Sequence, residues 1–316
     1  MDSCPPIAFD ISFLPASGGF ATFTQAVLQN IIKIDSARSY LLIENELPLE
    51  IPQYANRDVN RKNRMPPLPS SWRSFRTHRR SRVAWMFWDL PRLLRDKQTQ
   101  LFYSVDNVTV PPCHPKYKTI ITIYDLIPLT HPRYCRFRDA FAAQWLIRRA
   151  LCLADSIITT SHYSARQIIE YDPSLQNKIH VIDLGVNHQF FHSITDRGTL
   201  AEQIAKDHHF YSPRFIFNVS TLNPRKNLIR LLQAYHQHLT ATNDRETCLV
   251  IAGCRGWNYG SIFRTVQELH LQHRVHFMDF VPDLELLKLY QSAFLFVMPS
   301  LLEGFGLPVI EAMACG

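Results

Sequence analysis

Short, nearly continuous apolar runs alternate along this chain with stretches whose apolar residues recur at helical spacing. In the first half, IAFDISF (7–13), SYLLIEN (39–45), KTIITIYDL (118–126), SIITTS and KIHVIDLGV read as strands. Residues 20–32, 83–94, 138–153 and 163–171 read as helices between them. The stretch 187–212 is polar and rich in histidine, and reads as a connector with a short helix. The rhythm then restarts. RFIFNVS, TCLVIAG, RVHFMDFV and FLFVMPS read as strands, and 228–239, 262–271, 284–292 and 308–314 as helices. Uninterrupted apolar strands separated by helices indicate parallel sheets covered on both faces. The expected fold class is therefore α/β, with two Rossmann-like, doubly wound domains facing a cleft. The expected boundaries are 1–190, a connector at 191–212, and 213–316. Ligands of such sheets bind beyond the carboxyl ends of the strands, so the chemistry should lie just after strands.

Composition leaves this picture intact. The chain has 316 residues, 46% hydrophobic and 19% charged, which excludes a disordered or coiled-coil protein. No uncharged apolar run reaches the length a membrane-spanning helix needs, and MDSCPPIAFDISF carries no basic signal-peptide region. A cytoplasmic protein, peripheral at the inner face of the cell membrane, is the expectation. Seven cysteines form no C-x-x-C pair and read as reduced thiols. His270, His273 and His276 recur every three residues, but the third falls in an expected strand, so no metal site is expected.

Charge adds one local feature. The net charge is +7, yet Arg57, Arg61, Lys62, Arg64, Arg73, Arg76, Arg79, Arg80 and Arg82 face only Asp58 across residues 57–82. That stretch reads as a solvated loop or as a patch for an anionic membrane surface. Nucleic acid is excluded as a partner, because no helix-turn-helix, zinc-finger or RNP-type motif accompanies the charge.

Four segments carry candidate chemistry. In FLFVMPSLLEGFGLPVIEAMACG, Glu303 stands in a loop before Gly304, Phe305 and Gly306, and Pro308 fits the first turn of a helix. Amides near Gly306 and Leu307 at that helix start suit a diphosphate, and Glu311 is a carboxylate able to accept from paired sugar hydroxyls. In NVSTLNPRKNL, Arg225 and Lys226 stand at the mouth of a helix, where two cations oppose the macrodipole. Their placement makes sense if an anion sits between them. In FLPASGGFATF, Gly18 and Gly19 permit a close backbone approach to a ligand. In ITIYDLIPL, Asp125 follows a buried strand, either facing the cleft or capping the next turn. No G-x-G-x-x-G fingerprint is present, which disfavours a nicotinamide-dependent dehydrogenase.

EGFGLPVIEAMACG, TLNPRKNL and ADSIITTSHYSARQII together resemble the family-four, group 1 retaining glycosyltransferases with the GT-B fold. The pattern is similar to the bacterial mannosyltransferase-like subgroup. The resemblance implies transfer of a hexose, mannose-like by preference, from a GDP- or UDP-linked sugar to a hydroxyl with retention. The acceptor would be a glycan or a lipid-linked sugar in cell-surface polysaccharide or glycolipid synthesis. Glu303 would hold donor-sugar hydroxyls, Gly304 to Leu307 the diphosphate and sugar, and Glu311 the ribose. Lys226 and Arg225 would neutralise the leaving diphosphate, Gly18 and Gly19 would face the phosphates, and Phe280 and Val281 would lie against the base. No metal or other cofactor is implied. Family members often carry Arg where Thr221 stands, and His where Tyr124 precedes Asp125. Asp125 is the remaining catalytic candidate there, with Glu303 and Lys226. The family also continues past the position of Gly316, so a second domain lacking its final elements is expected. A sugar-nucleotide epimerase, or a non-catalytic sugar-nucleotide-binding module docked at membranes, are the alternatives.

Overall fold

The computed structural model describes residues 5–12, 19–35, 38–45, 68–78, 81–112, 116–135 and 137–316. The chain forms two compact units, residues 1–183 and 184–316. In the first, β1 (Ile7–Asp10), α1 (Gly19–Ile34), β2 (Tyr40–Asn45) and β3 (Arg73–Thr77) lead to a helical stretch. That stretch runs as α2 (Arg82–Ala84), a π-helical turn over Trp85–Asp89, and α3 (Leu90–Asp96). It is followed by β4 (Leu101–Ser104), β5 (Lys118–Ile123), α4 (Ile127–Thr130), α5 (Phe137–Leu153), β6 (Ser156–Thr159), α6 (His162–Tyr171) and β7 (Ile179–Val181). The strands form one parallel sheet in the order β3-β2-β1-β4-β5-β6-β7. Alternation along β1 serves two layers: Ala8 packs with Trp85, Leu90 and Phe102, and Phe9 with Leu28 and Leu42 on the opposite face.

The second unit contains α7 (Arg197–Asp207), β8 (Phe215–Val219), α8 (Leu228–Thr242), β9 (Cys248–Ala252), α9 (Gly260–Glu268), β10 (Val275–Met278), α10 (Asp283–Ser292), β11 (Leu295–Phe296) and α11 (Leu307–Ala314). Its sheet is also parallel, in the order β10-β9-β8-β11. All five residues of β9 are buried. Cys248, Val250 and Ala252 pack with residues of α7 and α10, while Leu249 and Ile251 pack with α8 and α9. The CLVIA run is apolar throughout because both of its faces are covered.

The α/β class and the alternating order follow the sequence expectation, with four corrections. The short β4 was not expected, yet it pairs with both β1 and β5 near the middle of the first sheet. Four residues are too few to show a period, so LFYS was silent. Arg73–Thr77, expected as part of a basic loop, forms the edge strand β3 with a mostly exposed pattern. Charged residues suit a sheet edge because they discourage further pairing. The strands β7 and β11 shrink to three and two residues. Among the described residues, no helix is long and apolar enough to cross a membrane.

Candidate functional site

In each sheet the strand order reverses beside the first strand, at β1/β4 and at β8/β11. Ligands of open α/β sheets bind at such switch points. At β8/β11 two loops meet. One follows β8 through Ser220 to a 3-10 turn, Pro224–Lys226; the other follows β11 through Pro299 to Glu303. They are stapled by the Leu301 amide donating to the Arg225 carbonyl at 2.9 Å, and by Asn227 Nδ2 donating to the Pro299 carbonyl at 3.1 Å. Asn218, within β8, donates Nδ2 to the Val297 carbonyl at 2.8 Å.

The carboxylate of Glu303 lies between the two cations. Arg225 reaches one oxygen at 2.9 Å and Lys226 the other at 2.5 Å. Arg225 also donates to the Leu302 carbonyl at 2.5 Å. The three side chains are 20%, 14% and 21% exposed for Arg225, Lys226 and Glu303, so solvent screens them only in part. Burial pushes the Glu303 carboxyl up, but Lys226 and Arg225 outweigh it and hold it below its ordinary value. Glu303 is thus an anion between Arg225 and Lys226, and the trio carries one net positive charge.

Gly304 and Phe305 then lead to Gly306, which starts α11 with φ +102°. A side chain there would be strained, and its Cβ would lie 3.0 Å from Met298 Cε. The amides of Gly306 and Leu307 stand at the helix mouth, where no intrahelical acceptor exists for them. One turn further along α11, Glu311 accepts from the Tyr290 hydroxyl at 2.8 Å. Burial, with Asp283 adding repulsion, raises the Glu311 carboxyl above its ordinary value despite that bond. Phe280 is exposed and Val281 half-buried. Both line a cavity of about 500 Å³ along β10, with His208, Phe210, His276, Pro282 and Glu285.

Thr221 is exposed, and the adjacent Leu222 is buried. Their position depends on glycines that sequence reasoning did not single out. Gly253 has φ +137°, and a Cβ on it would lie 2.1 Å from the Ser220 carbonyl oxygen. At Gly256 a Cβ would lie 2.7 Å from the Leu222 carbonyl oxygen. These close approaches let the loops after β8 and β9 continue their pairing, through Ser220 N to Ala252 O and the Leu222–Arg255 bridge. Gly253→Ala should lower folding stability by about 2–3 kcal/mol, read as a shift of the urea midpoint. An unchanged midpoint would contradict the tight packing of these two loops.

In the first unit, Asp125 Oδ1 accepts the Ile127 amide at 3.0 Å, so the carboxylate caps the turn into α4. The Tyr124 hydroxyl donates to the Val105 carbonyl at 2.8 Å. Gly19 is the first residue of α1, and Gly18 lies outside the described residues. A buried charge cluster was missed in the sequence. Arg82 bonds to Asp106 and reaches Asp10 at 3.2 Å, close to the β1/β4 switch. Asp106 also takes the Val108 amide at 2.8 Å and the Thr109 amide at 2.6 Å. Burial raises the Asp10 carboxyl above its ordinary value, against the pull of Arg82. The three residues lie 72 and 24 positions apart in sequence, so local spacing gives no hint of them.

The basic stretch is also corrected. Arg82 points inward to these carboxylates, and Arg76 pairs with Glu44 at 3.1 Å from β3. Arg57, Arg61, Lys62, Arg64, Arg79 and Arg80 lie outside the described residues. Among the described residues, no three His, Cys, Asp or Glu side chains gather as metal ligands. His276 instead has a ring nitrogen 3.1 Å from the Tyr211 amide.

Residues 51–190 match glycosyltransferase family 4, and residues 201–316 match the glycosyl transferases group 1. The chain thus carries a family 4 glycosyltransferase domain followed by a group 1 domain. Among curated relatives, the serotype-specific mannosyltransferase WbdA of Escherichia coli is 27% identical over 259 residues, 78% of this chain and 31% of that protein. The O-antigen chain mannosyltransferase B of Escherichia coli is 28% identical over 223 residues, 71% of this chain and 57% of that protein. The chain therefore spans 31% of the one relative's length and 57% of the other's. The structure of Anabaena HepE, solved in complex with UDP and glucose, superposes with a TM-score of 0.68 at 16% identity. It covers 99% of this chain, which covers 79% of HepE. WaaG, a glycosyltransferase involved in lipopolysaccharide biosynthesis, gives 0.67 at 11% identity. The glycosyltransferase therefore has the GT-B fold, each unit a Rossmann-like α/β layer structure.

Proposed function

We propose that this glycosyltransferase moves a hexose, with mannose favoured, from a GDP- or UDP-linked sugar to a hydroxyl of a glycan or lipid-linked acceptor. The anomeric configuration is retained, and the product belongs to a cell-surface polysaccharide. The observation that carries the reading is the Arg225–Glu303–Lys226 cluster at the β8/β11 switch, two residues ahead of the Phe305–Gly306 entry to α11. Departure of a nucleoside diphosphate builds negative charge on the leaving oxygens. Lys226, Arg225 and the helix mouth meet that charge with groups already in place, which is where electrostatic catalysis gains most. The sugar hydroxyls bond to Glu303, the ribose hydroxyls to Glu311, and the base lies against Phe280 and Val281 beside the cavity. Thr221 lines the approach to the diphosphate. No metal is needed when protein cations neutralise the leaving group. The first unit carries the remaining candidates, Asp125, Gly18 and Gly19.

The mannosyltransferase relatives support the sugar, and the UDP and glucose held by HepE support a nucleotide-linked donor. Calorimetric titration of the full chain with GDP-mannose and UDP-glucose should give binding in the micromolar to millimolar range for one of them. Donor consumption should then depend on an added acceptor. Consumption without acceptor, yielding an altered sugar nucleotide, would make the protein an epimerase; no binding of either donor or nucleoside diphosphate would remove the proposal.

A further inference from the structure

One buried side chain of the second unit reaches Glu311 from the neighbouring helix. Tyr290, near the end of α10, is 3% exposed, and its hydroxyl donates to Glu311 Oε2 at 2.8 Å. Its ring is gripped from several sides. Between centroids, Phe191 in the connector lies 5.9 Å away, Phe217 of β8 5.4 Å and Phe296 of β11 5.5 Å. Edge-on and tilted packing of this kind fixes the orientation of a ring as well as its burial. With the ring fixed, the hydroxyl oxygen has one position, and that position is beside Glu311.

The two helices are tied together elsewhere. Arg197, at the start of α7, donates Nε to the Gln291 carbonyl at 2.9 Å and Nη2 to the Ala293 carbonyl at 3.0 Å, at the end of α10. Its Nη1 donates to the Gly316 carbonyl at 2.7 Å, just past α11. A guanidinium therefore sets the spacing of α10 and α11 at their C-terminal ends, and a phenylalanine at position 290 would fill the same aromatic cage. The hydroxyl is an addition that core packing does not ask for, and it goes to a half-buried carboxylate.

The addition has a use. A glutamate side chain on a helix samples several rotamers, and ordering it costs entropy at the moment a ligand binds. Donation at Oε2 settles the orientation beforehand. A carboxylate has roughly four lone-pair sites, so the phenol takes one and leaves others for a pair of neighbouring hydroxyls. Donation also favours the anion: burial and the Asp283 charge push the Glu311 carboxyl up, and the Tyr290 bond pulls it down. Burial and the Glu311 charge hold the phenol itself above its ordinary value, so it remains a donor. We propose that Tyr290 is the positioning residue for Glu311, holding its carboxylate in the orientation that takes up the two ribose hydroxyls of a nucleoside diphosphate. This rests on the reading of Glu311 as the ribose partner, and adds the group that preorganises the contact.

The test is calorimetric binding to the full chain of GDP, UDP and their counterparts lacking both ribose hydroxyls, judged on whichever base binds more tightly. Wild type should prefer the ribonucleotide by about tenfold or more. Tyr290→Phe should lose most of that preference, with the dideoxynucleotide bound as before. In transfer assays the same variant should raise the donor KM about tenfold and leave kcat within about twofold. In a Glu311→Ala background, Tyr290→Phe should change neither affinity, because the hydroxyl has no carboxylate left to hold. A Tyr290→Phe variant that keeps the full ribonucleotide preference would overturn the proposal. So would equal weakening of both nucleotides, or losses that add in the double variant, since each marks a purely structural role. Equal binding of the two nucleotides by wild type would instead remove Glu311 from the ribose, and this proposal with it.

Discussion

Lys226→Ala should lower the rate of sugar transfer by about a hundred- to a thousand-fold, the loss typical when one preorganised charge-stabilising group is removed. The ammonium is held at 2.5 Å from Glu303 on a 3-10 turn and is only 14% exposed, so solvent screens its charge only in part. On the proposed role the effect should fall mainly on kcat, because the charge that Lys226 would meet is greatest as the diphosphate leaves. Lys226→Arg should recover part of the rate, since the charge persists while the compact point donor becomes a planar fork. Steady-state kinetics with a saturating acceptor would settle the matter. A Lys226→Ala enzyme with full turnover would remove the leaving-group role.

Glu303→Gln should move two properties in opposite directions. On the proposed role transfer should fall at least a hundred-fold, because the amide would no longer offer donor hydroxyls a charged acceptor. Binding of the bare nucleoside diphosphate should tighten, because Arg225 and Lys226 are left with their charges uncompensated. The same uncompensated pair should cost about 2 kcal/mol of folding stability, below the range for a fully buried ion pair because these groups are partly exposed. The pH dependence has a definite sign. The folded-state pKa of Glu303 lies below its ordinary 4.5, so its stabilising contribution is complete above that value. It is lost as pH falls through the lower folded value. The stability gap between wild type and Glu303→Gln should therefore be constant near neutrality and close below pH 4.5. Urea titrations at pH 7, 5 and 3.5 would show it. A gap that widened in acid would contradict the ion-pair assignment.

The features legible in the sequence were the local ones. Continuous apolar runs such as CLVIA announced buried parallel strands. Arg225 and Lys226 at a helix mouth pointed to an anion between them, expected as a ligand diphosphate; the contact to the Glu303 carboxylate, 77 residues on, was not foreseen. The close spacing of Gly304, Gly306 and Pro308 marked the start of α11. What stayed hidden was set by distance along the chain. Arg82 read as one more member of a basic run, although Asp10, 72 positions earlier, and Asp106 draw it into the interior. Gly253 passed as the last residue of the strand TCLVIAG, because the Ser220 carbonyl that excludes a side chain follows a different strand. The strand β4 was too short for its period to show, and only its neighbours β1 and β5 define it.

Because β11 pairs with β8 in parallel, the Arg225–Lys226 turn emerges from the ribosome long before its counter-ion. Glu303 follows Lys226 by 77 residues. At ordinary elongation rates of about 5–20 residues per second, that interval lasts on the order of ten seconds. During it, two cations stand at the end of a partly assembled sheet with no carboxylate between them.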